Sequence, residues 1–80
     1  MIENIVVHNP GNLAGEPEML AFAMAIIARH QHVAKADLIC DDRDVGGWLE
    51  WRVVLRYEGG GGLTIGLIQR ERFAVFESHT

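Results

Sequence analysis

His30 and His32 stand two residues apart, and His8, His79 and Cys40 are the other side chains of this chain with an affinity for borderline metals. Imidazole and thiolate together suit zinc. On a helix, however, two residues are separated by about 200°, so the pair diverges unless the helix has ended by His30. The neutral reading has His30 finishing the apolar stripe of a helix and His32 meeting its carboxyl end. Asp41, Asp42 and Asp44 form the densest acidic cluster, and carboxylate oxygens suit magnesium or calcium. A calcium loop needs acids at alternate positions, a central glycine and a distant glutamate. Here Arg43 interrupts the acids and Gly46-Gly47 follow, so these aspartates read as a polar turn that hydrogen-bonds its own backbone.

Gly59 to Gly62 could cradle an anion through successive backbone N–H groups. A phosphate-binding loop continues into Lys-Ser/Thr and a helix, whereas this run continues into Leu63-Thr64 and a strand pattern. It reads as a hairpin turn. Cys40 lies between Ile39 and Asp41 with no local nucleophile signature, and reads as a small core side chain. The only serine is Ser78, near the end of the sequence, which leaves nothing for a serine triad. From these residues we expect no catalytic set, no metal and no cofactor.

The elements that position these residues follow from pattern. Ile2 to His8 is rich in β-branched residues and stops at Asn9-Pro10-Gly11, a strand ended by a turn. Gly15 to Lys35 has proline in its first turn, Glu16 and Glu18 at its start, and Arg29, His30, His32 and Lys35 at its end, which predicts an α-helix complementing its own dipole. Its apolar stripe is Met19, Leu20, Ala23, Met24, Ile26, Ile27 and His30, with Phe22 to one side. Residues 37–42 form a short strand, and 43–47 turn into the next.

Residues 48–58, WLEWRVVLRYE, alternate strictly enough to define a half-buried strand. Leu49, Trp51, Val53, Leu55 and Tyr57 share one face; Trp48, Glu50, Arg52, Val54, Arg56 and Glu58 share the other. Leu63, Ile65 and Leu67 repeat the pattern beyond the glycines, so odd positions must pair with odd ones. A three-residue loop centred on Gly60 sets Tyr57 opposite Leu63 and Leu55 opposite Ile65. It also sets Glu50 beside Arg70 and Trp48 beside Arg72. Residues 73–77 are either a further strand or a continuation through a bulge. The expected fold is α+β and two-layered: one α-helix on a mainly antiparallel sheet of four or five strands, in the order β-α-β-β-β with one more β optional.

Eighty residues make one compact domain, 1–80, with a small stability margin. Hydrophobic residues are 49% and charged ones 22%, too apolar for disorder. One cysteine fits a reducing compartment, with cytoplasm the default. Neither an apolar run long enough for a bilayer nor a basic amino-terminal leader is present, so no membrane association is expected. The net charge of −4 opposes phosphate binding. Trp48, Arg52, Val54, Arg56, Ile68 and Arg70 then stand out on the outer sheet face, in the aromatic and guanidinium composition of interfaces.

Three functions are weighed on this basis. The first is a non-catalytic protein-protein interaction module, a small adaptor or inhibitor of a protein partner whose identity the sequence does not give, with room for a homodimer through the same face. The second is a small metal-dependent or intersubunit-site enzyme using His30/His32 or Asp41/Asp42/Asp44. The third is nucleic-acid binding by the arginine face, which the net charge disfavours.

Overall fold

The computed structural model describes the backbone of residues 5–45, 48–70 and 74–79 and the side chains of 5–41 and 49–70. Strand β1 (Ile5–His8) leads to helix α1 (Glu16–Ile27), then to β2 (Val33–Val45), β3 (Trp48–Tyr57), β4 (Gly62–Arg70) and β5 (Ala74–His79). The strands form one sheet in chain order, with β1 parallel to β2 and every later pair antiparallel. This is the expected α+β order. The last segment, left open between two alternatives, is a separate strand pairing with β4 from Ala74 opposite Arg70 to His79 opposite Ile65.

One face of the sheet is packed. Met19, Ala23, Ile26 and Ile27 of α1 meet Ala36, Leu38 and Cys40 of β2, Trp51, Val53 and Leu55 of β3, and Ile65 and Leu67 of β4. Burying each of the larger side chains contributes about 2 kcal/mol. The indole of Trp51 donates from Nε1 to Oε1 of the buried Gln69 at 2.9 Å, so the polar atoms within this layer are partnered. Gly15, the residue before the helix, has φ 90° and sits against that same Gln69: a Cβ there would fall 2.0 Å from Nε2. Only glycine combines the left-handed turn with this approach.

Four expectations are corrected. The helix ends at Ile27, not Lys35, so Arg29, His30 and His32 lie in the connection and Lys35 lies on β2. No glycine or proline stops it; the chain leaves the helix because residues 36–39 pair with β1 and 33–45 with β3. Met24, placed in the stripe, is 49% exposed. The aspartates do not make a turn: β2 continues to Val45, with a bulge between Asp41 and Asp44.

The fourth correction is the hairpin register. Leu55 faces Leu63, Val53 faces Ile65 and Trp51 faces Leu67, two residues from the expected alignment. Tyr57 O accepts from Gly60 N at 3.1 Å and Tyr57 N donates to Gly61 O at 3.2 Å, which encloses the loop Glu58-Gly59-Gly60. Gly60, at φ 97°, supplies the left-handed third position of a three-residue loop. Four consecutive glycines permit that position at more than one place, and here the Glu58 N–H is already engaged by His32 O at 2.8 Å. Trp48 therefore stands opposite Arg70, not Arg72, and Glu50 opposite Ile68. The slip is an even number of residues, so every side chain keeps its face.

Candidate interaction face

The helix covers only the inner face of the sheet. On the other face, successive rows run across the strands. Lys35 lies beside Arg56 and Gly62; Val6 beside Asp37, Val54 and Thr64; His8 beside Ile39, Arg52 and Gly66; Asp41 beside Glu50 and Ile68. Arg52, Val54, Arg56, Ile68 and Arg70 thus share this face. Trp48 occupies the register position opposite Arg70, and its side chain lies outside the described residues. Strict alternation on two strands puts the five on one side, which is why they could be read from the sequence.

The chemistry of this face is mixed. Val6 is 43% exposed, and Ile39, Val54 and Ile68 are half-buried among charged neighbours. His8 Nε2 lies 3.1 Å from Asp37 Oδ1, and Lys35 Nζ lies 4.0 Å from Asp37 Oδ2. Around Gly66, the backbone and the side chains of Glu50, Arg52, Thr64 and Ile68 border a depression of about 190 Å³. That is below the size of a drug-like ligand site and large enough to seat one side chain. Carboxylates at Asp37, Asp41 and Glu50 interleave with the guanidinium groups, so the face offers no uniform positive track for a phosphate backbone.

The chemical candidates fall elsewhere. Cys40 is buried in the inner layer at 3% exposure, consistent with a packing role. His30 Nδ1 is 3.4 Å from the Tyr57 hydroxyl, while His32 Nδ1 faces Glu58 Oε2 at 3.8 Å in an exposed contact worth little. The two histidines have different partners although the helix has ended before both. Among the described residues, no three His, Cys, Asp or Glu side chains gather as they would around a metal ion. Asp42 and Asp44 side chains, His79 and Ser78 lie outside the described side chains. Among the described residues no helix is long and apolar enough to cross a membrane.

Sequence reasoning missed two contributions. His8, Lys35, Asp37, Ile39 and Asp41 join the face only through the pairing of β2 with both neighbours, which no local signal reports. Gln69 was also missed, although its odd number continues the inward series of Leu63, Ile65 and Leu67. A polar residue in phase with a buried series is the signal that could have found it. Comparison with family models, curated proteins and solved structures finds no match.

Proposed function

We propose that this chain is a non-catalytic protein-protein interaction module, a small adaptor or inhibitor that applies the open face of its sheet to a protein surface. The supporting observation is the one-sided covering of the sheet: Val6, Ile39, Val54 and Ile68 are set among Arg52, Arg56 and Arg70 on the side without a helix. Apolar side chains surrounded by guanidinium groups supply both desolvation energy and orientation, the combination on which interface anchors depend. Trp48 belongs to this proposed contact set by its place in the strand, and the cytoplasm is the compartment that suits the lone Cys40.

Affinity capture from native extract, followed by binary binding with the purified captured protein, tests this reading. We expect the wild type and a Met24→Ala variant to bind alike and an Arg52→Glu/Arg56→Glu variant to lose binding by about tenfold or more. A partner unaffected by the double charge reversal, or lost with Met24→Ala, would overturn it.

A further inference from the structure

We infer that the partner applied to the open face presents an acidic helix, whose carboxylates meet Arg52 and Arg56 and whose apolar side chain between them rests on Val54. The inference rests on the reading of this face as an interaction surface and names the chemistry of its occupant. Charge distribution carries it. Four of the seven Lys and Arg residues of the chain, Lys35, Arg52, Arg56 and Arg70, fall at paired positions of this face, against three of its eleven acids, Asp37, Asp41 and Glu50. A chain of net charge −4 thus gathers its cations on the side without a helix.

These cations differ in what the chain itself offers them. Asp37 is engaged at both oxygens, with His8 Nε2 3.1 Å from Oδ1 and Lys35 Nζ 4.0 Å from Oδ2, so its charge is met on the β1 side. Arg52 and Arg56 are exposed, and among the described residues neither joins an ion pair. Glu50 lies beyond Arg52 on the same strand, which leaves the stretch between the two arginines without an acid on β3 or β4. Val54 is half-buried there with Thr64 opposite, while Gly66 and Gly62 stand opposite Arg52 and Arg56. Glycine has no side chain to fold over a guanidinium, so both arginines are open toward β4.

A guanidinium donates to a carboxylate through two parallel N–H groups. Arg52 and Arg56 lie about 13 Å apart along β3. Residues seven apart on an α-helix project from nearly the same side about 10 Å apart, with the fourth residue after the first between them. Glutamate and arginine side chains are long enough to take up the difference. A helix laid on the sheet is also how the other face is already covered. A phosphate backbone, charged at every step, would meet Asp37, Asp41 and Glu50 as well, whereas separately placed carboxylates avoid them.

Amide-shift titration of the whole chain with synthetic peptides tests this. The probe is an alanine-based helix of about 18 residues with glutamates seven apart and a leucine between them. One control has the same residues in scrambled order, and the other has lysine at both glutamate positions. The glutamate peptide should shift Arg52, Val54, Arg56 and Thr64, spare α1, and bind about tenfold more tightly than either control. Arg52→Glu/Arg56→Glu should reverse the order and take the lysine peptide instead, a gain that an unfolded variant would not show. Raising salt from about 50 mM to about 500 mM should weaken wild-type binding several-fold. A glutamate peptide bound no better than its controls, shifts on α1, or a variant with unchanged preference would each overturn the acidic helix. Preference for a single-stranded oligonucleotide would replace it with nucleic acid, and concentration-dependent shifts at the same residues without peptide would replace it with a second copy. If the peptide fails while a captured protein still binds in an Arg52/Arg56-dependent way, the acidic helix alone is defeated. Failure of both defeats the reading of the face as well.

Discussion

The two faces of the sheet are built from the same strands by the same alternation, yet only one of them is covered by the helix. On the inner face Trp51, Val53 and Leu55 are fully buried under α1, and Gln69 is held by the indole. On the open face the side chains one residue away, Arg52, Val54 and Arg56, are exposed or half-buried, and like charges are set opposite one another. The inner face follows from stability. The outer face mixes half-buried apolar side chains with charged ones and carries no helix, which is why it is proposed as the contact surface.

Several substitutions would break or sharpen this contrast. The largest effect is expected from Trp51→Ala, which removes a buried indole and leaves Gln69 without its donor. It should cost about 3–5 kcal/mol, enough to unfold much of so small a domain in a urea titration. Arg52→Ala, the adjacent residue, should stay within about 0.5 kcal/mol in the same titration. Comparable losses at both positions would erase the distinction.

Gly15→Ala should cost about 2 kcal/mol or more, because the new methyl meets the Gln69 amide and the backbone is left-handed there. Thermal melting would register it. In the turn, Gly60→Ala should cost about 1 kcal/mol, since φ is 97° although the surrounding space is open. Gly59→Ala, also in open space and without a positive φ, should be close to neutral. An equal response at both glycines would contradict the loop Glu58-Gly59-Gly60. The smallest effect is expected from Arg56→Glu: relief from Lys35 should leave stability unchanged or raise it by about 0.5 kcal/mol, measured by denaturant titration.

What was legible in the sequence depended on how local its cause was. The long strand could be read because Leu49 to Tyr57 alternate without help from elsewhere, and the helix start because Pro17 and its acidic neighbours are local signals. The helix end was not, since Ala28 to Lys35 contains no breaker and the chain turns away only to supply β2 with two neighbours. The hairpin's faces were legible and its register was not, because four glycines make adjacent turn positions nearly equivalent. The β3 and β4 parts of the candidate face were visible for the same reason as the strands. Its β1 and β2 parts depend on long-range pairing, and a bulge between Val33 and Lys35 further hides the phase of β2.

The contact between Gly15 and Gln69 has a consequence for synthesis on the ribosome. The helix begins against a side chain on β4, so its intended seat is synthesised only after β2 and β3. During that interval Met19, Ile26 and Ile27 have no complete surface to rest on. The nascent amino-terminal half is therefore a segment in waiting, and the hairpin that supplies β4 is also the event that lets the earlier part of the polypeptide become native.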